Sequence, residues 1–121
     1  MTVSFAELRA TRSGVFTADC PLRSVLDHVM SRWGVLVLYA LSDETKRWGE
    51  LRREVEGISE KMLSVTLRTL TADGLVSRES FSTVPPQVEY SLTPRGRELM
   101  EVMLPLLGWI IDNADDITKP S

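Results

Sequence analysis

The stretch from Gly57 to Gly96 reads GISEKMLSVTLRTLTADGLVSRESFSTVPPQVEYSLTPRG and carries the strongest structural signals of the chain. Ser59 stands where its hydroxyl can accept from the free backbone N–H groups of a first helical turn, and leucines then recur at helical spacing. Asp73-Gly74 stops that helix, and Thr93-Pro94 opens another with threonine as its cap. Between the two helices, the sequence predicts a two-stranded antiparallel ribbon.

The predicted strands of this ribbon run from Leu75 to Phe81 and from Gln87 to Leu92. Apolar and polar residues alternate in the second run, as expected of a strand with one buried face. The connection Ser82–Pro86 contains two prolines, which cannot donate ladder hydrogen bonds. We therefore predict a stiff projecting loop, a wing.

Upstream, the pattern is helical from Pro21, and Trp33–Leu41 is apolar on all sides, which predicts a buried central helix. Lys46–Val55 predicts a short helix, which Glu56-Gly57 ends. A short helix, a three-residue break and a second helix have the spacing of a helix-turn-helix. The expected fold is therefore mainly α, a winged helix-turn-helix with a small two-stranded antiparallel wing.

Three segments of one structural domain follow from these patterns. Residues 1–19 are predicted to form an arm or a short helix around Phe5 and Leu8, and residues 20–96 are predicted to form the winged core. Residues 97–121 form a C-terminal helix and tail, with more apolar side chains than one small domain can bury. A second copy of the chain is the expected partner for this helix, through Leu99, Met103, Leu106, Leu107 and Ile110.

The helix that begins after Ser59 has two faces of different chemistry. At about 100° per residue, its leucines fall on one face and a polar and basic set falls opposite. That set, Lys61, Ser64, Val65 and Arg68, is the candidate for contacts in a DNA groove. Arginine can grip guanine O6 and N7, and valine can meet a thymine methyl group. The alternative is an ordinary solvated helix surface.

Three further arginines are candidates for phosphate contacts: Arg78 at the base of the ribbon, and Arg52 and Arg53 on the preceding helix. The overall charge argues against strong attraction to DNA, since the chain of 121 residues has a net charge of −3. The acidity is concentrated at the end: residues 44–97 carry nine basic and eight acidic side chains, and residues 98–121 carry one and five.

Cys20 and His28 are the only cysteine and the only histidine. One cysteine excludes an intrachain disulfide, which fits a reducing cytoplasm. No cluster with metal-ligand spacing, glycine-rich phosphate loop or catalytic set is present, so we expect no metal, no cofactor and no enzyme activity. We also expect no membrane span, because the longest apolar run is too short. His28 is predicted to be structural or on the surface.

The chain resembles the HxlR-type transcriptional regulators, which are related to MarR. The resemblance covers about residues 20 to 110 and rests on Cys20-Pro21, WGVLVLYAL from Trp33, RWGELRR from Arg47, the segment from Gly57 to Val76, and VPPQVEYSLTPRG from Val84. It implies a homodimer built from N- and C-terminal helices that binds a palindrome-like operator in double-stranded DNA.

Within that resemblance, the recognition helix is Ser59 to Asp73 and the wing tip is about Ser82 to Gln87. Family members often carry a basic residue where this chain has Gln87 and a polar or basic one at Val65, and usually phenylalanine at Trp48. The first two departures reduce positive charge at the DNA-facing surface. In some members, a cysteine near the start of the first core helix senses oxidants, which makes Cys20 a redox candidate. The alternative for Cys20 is a buried, inert thiol.

Two function classes remain open on the sequence. The first is a cytoplasmic, dimeric DNA-binding regulator controlled by thiol oxidation or by a small-molecule effector. The second is a winged-helix protein-interaction module that does not read DNA, which the low basic charge favours. Salt discriminates between them, since DNA affinity falls steeply with ionic strength.

Overall fold

The computed structural model describes Ser4, Ala6, Glu7 and residues 21–120. Near the start, Ser4 and Glu7 exchange hydrogen bonds between side chain and backbone N–H, the pattern that caps a helix, and Ala6 and Glu7 are helical. Phe5, Leu8 and Cys20 lie outside the described residues. The elements from residue 21 onward are α1 (Pro21–Val29), α2 (Arg32–Ala40), β1 (Lys46–Arg47), α3 (Trp48–Glu54), α4 (Glu60–Ala72), β2 (Val76–Phe81), β3 (Gln87–Leu92) and α5 (Pro94–Thr118).

The sheet has three antiparallel strands in the order β1-β3-β2, one more than predicted. The extra strand corrects the predicted helix Lys46–Val55, because Lys46 and Arg47 pair with Tyr90 and Glu89 of β3. The helix begins two residues later than predicted, at Trp48, and the Glu50 carboxylate accepts from the backbone N–H of its N-cap residue Arg47 at 2.9 Å. A strand of two residues has no alternation that a sequence pattern could reveal.

The core lies between α2, α4 and the inner face of the sheet. The predicted leucine face of α4 is confirmed, since Leu63, Leu67 and Leu70 are buried. The prediction that the central helix is buried on all sides is only partly correct. Val37 and Leu38 of α2 are fully buried, but Leu36 and Tyr39 are exposed. The helical spacing of the leucines therefore predicts the buried face of α4 correctly, and the opposite face of this helix is exposed.

Side-chain caps fix the start of both helices flanking the ribbon, as predicted. The Ser59 hydroxyl accepts from the Met62 N–H, and the Thr93 hydroxyl accepts from the Gly96 N–H, both at 3.0 Å. Helix α5 is a single helix of 25 residues with Pro105 inside it. In the described part of the chain, no helix is both long and apolar enough to span a membrane.

A buried lysine joins three elements of the core. The Lys46 ammonium donates to the Ala40 carbonyl at 2.7 Å, to Glu54 at 2.6 Å and to Asp43 at 3.2 Å. Burial alone lowers the pKa of Lys46, but the bonds to Glu54 and Asp43 outweigh it and raise that pKa above its usual value. The bond from Lys46 lowers the pKa of Asp43. All three donors of the ammonium are therefore engaged.

Candidate nucleic-acid interface

Helices α3 and α4 form the helix-turn-helix, joined by residues 55–59. Gly57 has φ of +90° in this turn, a left-handed conformation that glycine adopts without a Cβ penalty. The Ile58 N–H donates to the Val55 carbonyl at 3.3 Å, and both side chains are buried. The turn is therefore held against the core by two buried side chains, which fixes the orientation of α4 relative to α3.

The face of α4 opposite its leucines carries all four predicted groove residues. Lys61, Val65 and Arg68 are exposed, and Ser64 is half-buried. Met62, which the sequence analysis did not single out, is exposed on the neighbouring strip. The structure brings these side chains to one surface, and their contact with DNA stays a prediction.

Arg78 is exposed, and it lies on the same face of the ribbon as the buried Tyr90, its partner in the antiparallel register. Its guanidinium donates to the Ser80 hydroxyl at 3.2 Å. Arg78 and Arg68 line one cleft of about 420 Å³ between α4 and the ribbon, and the described residues that line it include no carboxylate. On the wall of this cleft, the buried Thr71 hydroxyl oxygen has no hydrogen-bond partner among the described residues. The sequence analysis named Arg68 and Arg78 as separate candidates for DNA contacts, but it did not predict that they line the same cleft.

The other predicted DNA-contacting residues, Arg52, Arg53 and Gln87, lie outside the arginine cleft. Arg52 forms an ion pair of 3.8 Å with Glu60, and both side chains are exposed, so the pair contributes little. Arg53 is exposed in the last turn of α3. Gln87 is half-buried at the start of β3, opposite Phe81, and so stands at the base of the wing loop.

His28 has a specific partner that sequence reasoning missed. Its Nδ1 atom lies 2.7 Å from a carboxylate oxygen of Asp73, the C-terminal cap of α4. The two residues are 45 positions apart, so only the tertiary fold reveals the pair. Over the residues that the structure describes, no three His, Cys, Asp or Glu side chains are grouped to hold a metal ion. The His28–Asp73 contact instead ties α1 to the end of α4.

The helix-turn-helix with its wing matches the family model of the HxlR-like helix-turn-helix over residues 28–118. The chain belongs to this family. It is 48% identical over 103 residues to an uncharacterized HTH-type transcriptional regulator, YtfH of Escherichia coli (strain K12), covering 85% of this chain and 82% of that relative.

Solved structures agree with the family assignment. The structure of ytfH from Salmonella typhimurium superposes with a TM-score of 0.79 at 49% identity, covering 84% of this chain and 91% of that one. The redox regulator HypR superposes in its reduced form with a TM-score of 0.74 at 39% identity, covering 84% of this chain and all of that one. Its oxidized form gives 0.72 at 41% identity, with coverage of 78% and 97%.

The relatives are transcriptional regulators and not enzymes, so the chain is a transcriptional regulator of the HxlR type. The resemblance drawn from the Gly57–Gly96 stretch is confirmed. A regulator of the helix-turn-helix family acts through DNA.

Proposed function

We propose that this regulator binds a palindrome-like operator as a homodimer in the cytoplasm, with α4 in the major groove and the wing along the backbone. The observation that carries the proposal is the surface where the outer face of α4 meets the arginine cleft. Lys61, Ser64, Val65 and Arg68 face the base edges, while Arg78 meets a phosphate. In a homodimer, the two α4 helices enter successive major grooves about 34 Å apart.

Apolar surface on α1 and α5 supports the homodimer. Leu106 and Ile110 of α5 are 42% and 44% exposed, whereas Met103 is 5% exposed and packs in the protomer's own core. Leu99 and Leu107 are half-buried. A groove of about 540 Å³ runs between α1 and α5, and it is lined by Pro21, Leu22, Val25, Leu26, Val29, Met30, Leu99 and Met103. A contiguous apolar surface of this kind favours a partner.

Replacing Arg68 with Ala is expected to weaken operator binding about tenfold to a hundredfold, because a bidentate arginine–guanine contact contributes about 1–3 kcal/mol. The measurement is fluorescence anisotropy on the DNA upstream of the gene at several salt concentrations. Wild-type affinity falls steeply with salt through counterion release. Arg97→Ala, an equal charge change on α5, is the matched control. If Arg68→Ala and Arg97→Ala weaken operator binding equally, the prediction that Arg68 contacts the operator is contradicted.

The alternative is the protein-interaction module, which the net charge of −3 favours. The same salt series separates the two functions. Binding that is absent at low salt, or that does not weaken as salt rises, contradicts operator recognition and leaves the interaction module.

Thiol oxidation is the proposed signal for release from DNA, and a small-molecule effector is the alternative. Support for the thiol comes from the similarity to HypR, a redox regulator with solved reduced and oxidized forms. With one cysteine per chain, oxidation at Cys20 produces an intersubunit disulfide or a mixed disulfide with a small thiol. Diamide is expected to release wild-type protein from DNA and to leave Cys20→Ser bound, as followed by gel shift. If diamide also releases the Cys20→Ser variant from DNA, the proposed signal through Cys20 oxidation is contradicted.

A further inference from the structure

We propose that a cleft between α2, the end of α3 and α5 binds a small organic cation with an apolar body. The cleft has a volume of about 740 Å³, within the usual range for small-molecule sites. The residues that line it include Leu36, Tyr39, Asp43, Glu54, Glu56 and Leu104. Ligand binding at this cleft does not depend on the proposed operator recognition.

One wall of the cleft is apolar and uncovered. Leu36 and Tyr39 of α2 and Leu104 of α5 are all exposed within the protomer. Water in contact with this wall is released when an apolar body covers it, which favours binding. The Tyr39 ring adds an attractive face for a cation, since the quadrupole of an aromatic ring attracts positive charge.

The opposite wall is acidic. Asp43, Glu54 and Glu56 contribute three carboxylates, and no arginine is among the described residues that line the cleft. The only neighbouring cation among the described contacts is Lys46, whose side chain is 5% exposed and whose three donors are already engaged by Ala40, Asp43 and Glu54. Three carboxylates and one ammonium leave a net charge of −2. A cation is therefore attracted and an anion is repelled.

The position of the cleft distinguishes it from the proposed dimer surface. At about 100° per residue, Leu104 lies about 120° around α5 from Ile110. Leu104 borders the cleft, whereas the groove against α1 is bordered by Leu99 and Met103 on the other flank of α5. The cleft touches both α3, the first helix of the helix-turn-helix, and α5. An occupant therefore contacts the elements whose relative angle sets the spacing of two α4 helices, and this consequence rests on the proposed function.

The experiment is isothermal titration of the full-length protein with tetraphenylphosphonium and with tetraphenylborate, two probes of nearly equal shape and opposite charge. The cation is expected to bind and the anion to give no saturable heat. Glu56→Gln is expected to weaken cation binding about threefold, the effect of one exposed charge. Among the residues that the structure describes, Glu56 has no hydrogen bond or ion pair, so the substitution leaves the Lys46 contacts intact. Tyr39→Leu is expected to weaken it about threefold through loss of the ring.

Glu98→Gln, the same charge change at an exposed position outside the cleft, is the matched control and should leave the affinity unchanged. Equal binding of the two probes, no binding of the cation, or equal weakening by Glu98→Gln and Glu56→Gln would overturn the inference. Operator DNA is titrated separately. Cation binding without DNA binding contradicts only the proposed function, and DNA binding without cation binding contradicts only the cleft.

Discussion

Replacing Ile110 with Glu is expected to convert the proposed dimer to a monomer and to lower operator affinity by about a hundredfold or more. Ile110 is 44% exposed in the protomer, so the new carboxylate stays in water and the protomer keeps its fold. At a dimer interface, the same carboxylate loses its water without a partner, which costs several kcal/mol. A monomer also loses the gain from binding two half-sites with one molecule, about 10²- to 10⁴-fold.

Sedimentation velocity measures the oligomeric state, and anisotropy on the operator measures the affinity. Ile111→Glu is the matched control, because Ile111 is also exposed but lies about 100° further around α5, on the flank of Leu104. It is expected to remain dimeric and to bind DNA. An Ile110→Glu protein that stays dimeric would move the interface elsewhere, and a monomer with unchanged affinity would contradict the paired-helix mechanism.

Gly96→Ala is expected to destabilise the protein by about 2–4 kcal/mol, or about 10 °C in Tm. A Cβ atom on Gly96 would overlap the carbonyl oxygen of Leu75, and it would also crowd the Leu92 side chain. The oxygen belongs to the backbone and already accepts from the Thr93 N–H at 3.0 Å, so it cannot move aside as a flexible side chain can. The clash lies where α5 starts against the ends of the ribbon.

Gly108→Ala, in the same helix, is expected to increase the stability of the protein, whereas Gly96→Ala decreases it. Among the described residues beyond the adjacent turns of α5, no atom lies within 4 Å of a Cβ at Gly108. Only the higher helix propensity of alanine therefore acts, which stabilises by up to about 1 kcal/mol. Thermal unfolding at one fixed protein concentration compares both variants with the wild type, since Tm depends on concentration for a protein that dimerises, as proposed here. If both substitutions stabilise the protein, the predicted clash between a Cβ at residue 96 and the Leu75 carbonyl oxygen is contradicted.

The elements that the sequence predicts well are those whose signals are local. The Ser59 cap and the leucine spacing of α4 involve residues within a few positions of one another, and the structure has both. The same spacing placed Lys61 and Arg68 on the face away from the core. Local periodicity is therefore enough to find the helix, its buried side and the candidate reading surface.

The features that sequence analysis missed depend on residues far apart in the chain. Strand β1 has two residues and exists only through its pairing with β3. Lys46 was assigned to a helix, although its buried ammonium joins Ala40, Asp43 and Glu54. Such contacts leave no periodic trace, because each partner looks like an ordinary polar residue in its own segment.

The sequence by itself determined the winged helix-turn-helix, the caps of its helices and membership of the HxlR family, because periodicity, capping residues and motifs are properties of short segments. Only the tertiary structure decided that Arg68 and Arg78 share a cleft, that His28 meets Asp73, and that Met103 is covered while Ile110 is exposed. These outcomes follow from how the elements pack, and packing depends on distances between segments that no local pattern contains.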